Sequence, residues 1–303
     1  MKHIFIVNPK SRKKDSTEYI RTFLKENHKN LNYEIYNTKG IKDATQYVKN
    51  ICENTKEEII FYACGGDGTL NEVVNGAYGY ENKYVTVYPC GSGNDFVKVF
   101  GKTNHFKDLS KLINGKPRKI DLLKVNNTYT VNMCNLGFDA SVAYNMGKFR
   151  KWPLVTGGGA YNLALVYSLV FKMKHKCKIK VDGEIIYDGV MLLSALGNGL
   201  CCGGGYYCLP KASVEDGLID AVFVKKISRI KFISLVKKYK DGTYIDCPKY
   251  DKYIIFKKCK EVELVSEKDI TYSLDGECGL EKQIKINIEP KAINFIVPIE
   301  YDI

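Results

Sequence analysis

No stretch of the 303-residue chain approaches the ~18–20 consecutive apolar residues of a membrane-spanning helix. The longest candidate, Tyr161 to Phe171, is too short and reads as a buried or amphipathic helix. The opening Met-Lys-His-Ile-Phe-Ile-Val-Asn-Pro has too brief an apolar run for a secretory signal and reads as a first buried strand. These absences predict a cytoplasmic protein. Eleven cysteines, an odd number, include no pair of Cys-x-x-Cys motifs. Their one cluster, Cys201, Cys202 and Cys208, sits in a glycine-rich loop and matches no common zinc spacing, so reduced structural thiols are expected. There is no internal repeat, no low-complexity segment and no nucleic-acid-binding motif. None of the four histidines falls in a motif, which disfavours a histidine base.

What is present is an ordinary globular composition, 45% hydrophobic, 26% charged and 12% aromatic, with length enough for two domains. The net charge of +12 points to an anionic partner. Nucleic acid, an anionic bilayer and a polyphosphate all qualify, as does a merely solvated basic surface. The bases lie in short groups, Lys148 to Lys151, Lys172 to Lys180, Lys237 to Lys240 and Lys257 to Lys260, with no basic tail.

The first ~120 residues alternate strand and helix patterns, the mark of a mostly parallel sheet with crossover helices. Strands are predicted at Ile4 to Val7, Tyr33 to Tyr36, Glu58 to Ala63 and Tyr84 to Tyr88. Helices are predicted at Ser16 to Lys25, Asp43 to Cys52 and from Gly68 onward. From about Asp121 the strands lengthen and alternate, with turns at Asp182-Gly183 and Asp275-Gly276. This predicts an antiparallel β-domain with a few helices, among them Tyr161 to Phe171 and Lys231 to Tyr239. Lys176, Lys178 and Lys180 alternate with Cys177, Ile179 and Val181, the period-2 pattern of a half-buried strand. Their lysine face either protects an edge strand, the preferred reading, or lies against anionic headgroups.

The chemistry-bearing run is Gly65-Gly66-Asp67-Gly68-Thr69-Leu70-Asn71-Glu72-Val73-Val74-Asn75-Gly76, between a buried strand and a helix. Glycines allow a tight turn whose N–H groups converge on one concavity, and the helix start adds positive potential there. A carboxylate beside polyphosphate is unfavourable without an intervening divalent cation, so Asp67 implies magnesium. The competing reading is a tight turn with Asp67 as helix cap. A second glycine-rich loop, Pro89-Cys90-Gly91-Ser92-Gly93-Asn94-Asp95-Phe96, follows the next strand. A third, Asn8-Pro9-Lys10-Ser11-Arg12, follows the first. Three such loops at neighbouring strand ends can surround a nucleotide.

These motifs resemble the catalytic domain shared by diacylglycerol kinases, sphingosine and ceramide kinases and the soluble bacterial lipid kinases. The similarity continues through Asn132-Met133-Cys134-Asn135-Leu136-Gly137-Phe138-Asp139-Ala140, Gly197-Asn198-Gly199 and Gly203-Gly204-Gly205. It runs on through Pro210 to Asp220 and reaches Leu274-Asp275-Gly276-Glu277. The resemblance implies an N-terminal nucleotide-binding α/β domain, residues 1–122 with 290–303 returning to it. A C-terminal antiparallel β-sandwich lipid-substrate domain would span 123–289, with the active site in the cleft. It also implies ATP and Mg2+ as cofactors and diacylglycerol as the first candidate lipid. By resemblance Asn8, Thr38, Gly66, Asp67, Gly68, Thr69, Asn71, Glu72 and Ser92 contact ATP. Asp67 lies near the metal, and Glu277 is the general base that takes the proton of the lipid hydroxyl. A structural magnesium is held by Asp216 and by backbone oxygens near Ser213 and Leu218. On its own merits Asp275-Gly276 is a hairpin turn and Asp216-Gly217 another turn.

Expected partners are a lipid at an anionic membrane surface, the protein being peripheral at the inner face, and a second copy as homodimer. Nucleic acid is not expected. Two departures stand out: Arg12 where the family commonly has glycine, and Ser92 where threonine is usual. The alternatives are a kinase of a soluble nucleotide such as NAD and a catalytically inactive binder of anionic membranes. The Gly-Asn-Asp-Phe loop and the late Asp-Gly-Glu favour the lipid group over the first, and the retained acids argue against the second.

Overall fold

The computed structural model describes residues 1–11, 16–152, 155 and 157–299. Arg12 lies outside them. The chain divides into two compact units, Met1–Leu122 with Pro290–Ile303 and Leu123–Glu289.

In the first unit β1 (Lys2–Val7), α1 (Ser16–Asn27), β2 (Tyr33–Asn37), α2 (Asp43–Asn54), β3 (Ile59–Gly65), α3 (Asp67–Ala77) and β4 (Lys83–Pro89) alternate. The strands pair in parallel in the order β4-β3-β1-β2, with Ile6 opposite Ala63 on one side and Tyr36 on the other. All seven residues of β3 are buried, as a central strand covered on both faces requires. On α2 the buried side chains are Ala44, Val48 and Cys52, one every four residues along the inward face. The short α4 (Leu109–Ile113), capped by the Asp108 side chain, leads into β5 (Lys116–Val125), which passes into the second unit.

The second unit contains β6 (Thr128–Thr130), β7 (Met133–Gly137), α5 (Phe138–Phe149), α6 (Gly157–Phe171), β8 (His175–Val181) and β9 (Glu184–Gly197). They are followed by β10 (Ile219–Lys225), α7 (Arg229–Lys240), β11 (Ile254–Cys259), β12 (Glu261–Leu274) and β13 (Glu277–Val297). Neighbouring strands here are antiparallel. The long strands β9 and β12 each pair with β8 through their first halves and with β7 through their second. One sheet thus closes on itself through the ring β8-β9-β7-β12, and its core includes Leu136, Ile179, Leu196, Phe223, Leu264 and Ile286. A second core, with Phe138 edge-on to Phe232 at 4.7 Å, lies beneath α5, α6 and α7. The helix α5 had no separate sequence signal, since the motif beginning at Asn132 contains both the end of a strand and its first turn.

The lysine strand requires a correction. β8 is paired on both sides, to β9 and β12, so it is not an edge. Lys178 meets Asp188 at 3.5 Å, Lys180 meets Glu263 at 3.1 Å and Lys176 meets Glu267 at 2.6 Å. The lysines match acids on the flanking strands, leaving neither an edge to protect nor an unmatched basic face for headgroups.

The end of β13 returns to the first unit, where Asn294 and Phe295 pair in parallel with Tyr84 and Val85 of β4. The Phe295 ring is fully buried, 5.4 Å from Phe96 and 5.4 Å from Phe100. Each such ring contributes about 1.5–3 kcal/mol of burial. The return therefore anchors the loop after β4 through Phe96.

Candidate active site

The carboxyl ends of the parallel strands bring together loops that are far apart in sequence. Asn8 follows β1, with its amide hydrogen-bonded to the Cys64 carbonyl at 3.0 Å and its side chain donating to the Thr69 hydroxyl at 3.3 Å. Thr38 follows β2 and donates its N–H to the Val7 carbonyl at 2.8 Å. The amides of Cys90 and Gly91 both donate to the Gly65 carbonyl, at 2.8 and 3.2 Å, which closes the loop after β4 onto the loop after β3. The approach is so near that a Cβ on Gly91 would stand 2.5 Å from the Gly66 Cα, so glycine is obligatory there. Asn94, with φ of 47°, completes the turn by accepting from the Gly91 amide and donating to its carbonyl. Ser92 is left exposed at the tip of this loop.

The start of α3 is bare. Its cap is Gly66, which has no side chain to accept from the first-turn amides, and a Cβ on Gly68 would enter open space. Asp67 is therefore the first helical residue and not the cap. Uncapped amides at a helix start attract anions. Beside them stand two carboxylates. Asp67 Oδ1 accepts from the Phe96 amide at 3.1 Å, and Asp95, 5% exposed, is ion-paired with Lys98. The Oδ2 atoms of Asp67 and Asp95 each lie 3.2 Å from where a Cβ on Gly93 would stand, so both flank one small space kept open by glycine. Burial pushes the Asp67 carboxyl above the usual carboxylate range against the opposing Phe96 bond, and the charge of Asp95 pushes it further. Two hard oxygens around one gap fit a divalent cation. Asp95 was part of the second loop motif, but its pairing with Asp67 comes only from the closure of one loop on the other.

Glu72 is used differently from the expectation. Its two carboxylate oxygens accept from the amides of Lys42 and Ala44, at 2.9 and 3.1 Å, at the start of α2. It clamps α3 to α2, so any effect on a nucleotide is exerted through the seating of α3. Asn71 is buried on the same helix and its carbonyl accepts from the Asn75 side chain at 2.8 Å.

In the second unit Asp275 and Gly276 form the hairpin turn between β12 and β13, with φ of 47° and 96°. The Asp275 carboxylate accepts from the Thr130 hydroxyl and from the amides of Val131, Asn132 and Met133, the last at 3.1 Å. This knot fixes the turn, and Glu277 projects exposed from the first position of β13 beyond it. Glycine at 199 has its own reason, since a Cβ there would collide with the Asn132 side chain.

Residues 2–125 match the family model of the diacylglycerol kinase catalytic domain, and residues 132–297 match that of the YegS C-terminal NAD kinase beta sandwich-like domain. The chain belongs to the diacylglycerol kinase family of lipid kinases. A diacylglycerol kinase of Bacillus subtilis (strain 168) is 32% identical over 241 residues, covering 78% of this chain and 76% of that protein. One of Staphylococcus aureus (strain JH9) is 30% identical over 246 residues, covering 80% and 75%. A crystal structure of a diacylglycerol kinase from Bacillus anthracis str. Sterne superposes with a TM-score of 0.70 at 21% identity, covering 99% and 98% of the two chains. An NAD kinase from Archaeoglobus fulgidus in complex with ATP reaches 0.52 at 12% identity, covering 99% and 95%. These two structures establish the fold.

The metal-ligand set expected of this lipid kinase at Ser213, Asp216 and Leu218 has a different occupant. Asp216 Oδ1 accepts from the Leu218 amide at 3.1 Å, while its Oδ2 meets the Lys258 ammonium at 2.7 Å. Ser213 Oγ accepts from the Glu215 amide at 3.3 Å. The same ammonium lies 2.9 Å from Asp220, a fully buried carboxylate. Burial pushes the Asp220 carboxyl up and Lys258 draws it back only in part. Burial would lower the Lys258 ammonium, but its bonds to Asp216 and Asp220 outweigh this and hold it above the ordinary lysine value. A lysine from β11 thus stands as the cation of this carboxylate pair, although both Asp220 oxygens remain buried without a hydrogen-bond partner among the described residues, and a divalent ion here would have to displace the lysine. Nothing in the sequence near Asp216 signalled Lys258.

Proposed function

We propose that this kinase transfers the γ-phosphate of ATP to a lipid hydroxyl with Mg2+, diacylglycerol being the first candidate and phosphatidic acid its product. The observation that carries the reading is the Asp67–Asp95 pair beside the bare start of α3, where the loops after β3 and β4 touch. The bare amides of α3 would take phosphate oxygens, with Asn8, Thr38, Gly66, Gly68, Thr69 and Ser92 bordering the nucleotide from the ends of the four parallel strands. Asn71 and Glu72 would hold α3 in place. Asp67 and Asp95 would hold Mg2+, which when bound neutralises charge on the phosphates. Glu277 would accept the proton of the attacking hydroxyl, a task for which a carboxylate suffices when the leaving group is already charge-stabilised. The protein would act at the inner face of a membrane, where its lipid is found. A second magnesium at Ser213, Asp216 and Leu218 would first have to displace Lys258.

The test is transfer of labelled γ-phosphate from ATP, with Mg2+, to a panel of lipids in mixed micelles containing anionic phospholipid. Labelled phosphatidic acid supports the reading. Label in NADP without label in any lipid would replace it by the soluble-nucleotide kinase, to which the NAD kinase likeness of the fold lends support. Vesicle binding without any transfer would favour the inactive binder.

A further inference from the structure

The solvent side of α6 has a face without a partner among the described residues. Ala160, Ala164 and Ser168 are buried at four-residue spacing, whereas Leu163, Val166, Tyr167 and Val170 form the opposite, exposed side. Val166 is 59% exposed and Phe171, which ends the helix, 67%. A helix apolar on every side is ordinarily buried. At 15 residues this one is about 22 Å long, short of the ~30 Å hydrocarbon layer, so it can lie on a bilayer but not cross it. Rings continue the face beyond the helix. Trp152, 56% exposed, stands edge-on to Phe149 at 4.9 Å, Phe149 to Tyr167 at 6.0 Å, and Tyr167 lies 5.0 Å from Phe171. The Arg229 guanidinium donates to the Leu169 and Val170 carbonyls at 2.8 and 2.9 Å. It ties the start of α7 to the end of α6 and adds the exposed Ile230 and Ile233 there.

The chain segments that carry this face hold charge of one sign. From residue 140 to 174 the chain carries five Lys or Arg and no acid, and from 221 to 240 it carries seven and no acid. An exposed tryptophan, aromatic and branched apolar side chains and surrounding bases match the interface of a bilayer with anionic headgroups. A second copy seated on the same face would bring like charges together. We propose that the α6 face, with Trp152 and the start of α7, is the surface by which this kinase docks on an anionic lipid bilayer. The proposal rests on the lipid-kinase reading for its purpose but not for its test.

Trp152 is the only tryptophan beside 22 tyrosines, so fluorescence excited at the red edge of the absorption band, where tyrosine does not absorb, reports this face alone. With the full chain and vesicles of phosphatidylcholine containing one third phosphatidylglycerol, Trp152 emission should shift to the blue and be quenched by brominated acyl chains. Pure phosphatidylcholine vesicles or high salt should weaken binding at least tenfold. The double variant Val166→Glu, Val170→Glu, on exposed positions, should keep the wild-type melting temperature and lose vesicle binding at least tenfold. Its turnover on a short-chain diacylglycerol dispersed in non-ionic detergent should stay within twofold of wild type. Vesicle binding without a Trp152 shift, or full binding by the double variant, overturns the proposal. So does conversion of a dimer to a monomer by the double variant with vesicle binding intact, which would assign the face to a second copy. A Trp152 shift lost in the double variant, combined with no lipid phosphorylation by the wild type, supports the docking face while the proposed activity falls.

Discussion

Two aspartate-glycine pairs, Asp67-Gly68 at the start of α3 in the first unit and Asp216-Gly217 in the second, meet the same electrostatic problem in opposite ways. Each aspartate has a second aspartate close by, Asp95 for the first and Asp220 for the second. At Asp216 the chain supplies its own cation, with Lys258 within 3 Å of both carboxylates. At Asp67 the nearby ammonium, Lys98, is placed on Asp95, and the Asp67 carboxyl is left with its affinity for a proton raised by burial and by its neighbour. A carboxylate pair neutralised by a lysine of the chain itself needs no ion from solution, whereas the pair with an open gap beside bare helix amides is the one we propose for a diffusible cation. The difference separates a candidate catalytic acid from a motif acid that resembles it in sequence.

The largest expected effect tests the open pair. Asp67→Asn should lower turnover at least about 1,000-fold, since charge neutralisation carries most of phosphoryl transfer. It should also stabilise the protein in the absence of Mg2+ and nucleotide. The folded pKa of Asp67 lies above its unfolded value, so its stability contribution is present below the unfolded pKa and is lost as pH rises through the folded one. Asparagine removes that loss, and at neutral pH the melting temperature should rise above that of the wild type. Turnover within tenfold of wild type would remove Asp67 from the metal site.

Next in size is Glu277→Gln, expected to lower kcat by roughly 100-fold or more while ATP affinity, measured by equilibrium binding, changes little. Glu277 projects beyond the Asp275 knot, and the substitution touches none of that knot's hydrogen bonds. An unchanged kcat would leave Glu277 without a part in proton transfer.

The closed pair is tested by Lys258→Met. Removing one partner of a fully buried ion pair costs ~3–5 kcal/mol; with the Lys258 side chain about one third exposed, about 2–3 kcal/mol is expected. Wild-type melting temperature should be indifferent to chelator, since the cation is covalently part of the chain. In the variant, Asp216 and Asp220 would face each other without a charge between them, and millimolar Mg2+ should restore part of the loss. A wild-type protein that melts earlier in chelator, with no nucleotide present, would mean that a metal shares this site after all.

Much of this contrast was hidden in the sequence, for definite reasons. The strand β3 and its glycine turn were legible because an unbroken buried run followed by Gly-Gly-Asp-Gly is a local signal. The return of β13 beside β4, which seats Phe96 through Phe295, joins residues about two hundred positions apart, has no local mark and was expected only from the family resemblance. Glu72 sat inside the nucleotide motif, but its carboxylate turned to the α2 amides, which depends on how two helices pack. The alternation of Lys176, Lys178 and Lys180 identified a strand correctly. Its partners Asp188, Glu263 and Glu267 lie on two other strands, so the edge reading failed. Tyr161 to Phe171 was recognised as apolar, yet composition alone could not show that its branched side chains face solvent while its alanines face the core.

A third acid calibrates the comparison because it has neither lysine nor open gap. Asp139, in the first turn of α5, accepts from the Tyr239 hydroxyl at 2.8 Å. Burial pushes its carboxyl up to about 6 despite that bond. Its folded pKa again exceeds the unfolded value, so its contribution to stability is complete below about pH 4 and is lost as pH rises to about 6. Asp139→Asn keeps the acceptor for Tyr239 and should remove this loss. The difference in unfolding free energy between variant and wild type should grow by about 2–3 kcal/mol in the variant's favour from pH 4 to pH 7, and then level off. A difference that does not vary with pH would mean that the Tyr239 hydroxyl alone offsets the burial of the charge. In that case an unmatched acid in this fold would not need a cation, and burial alone would give no reason to expect one at Asp67.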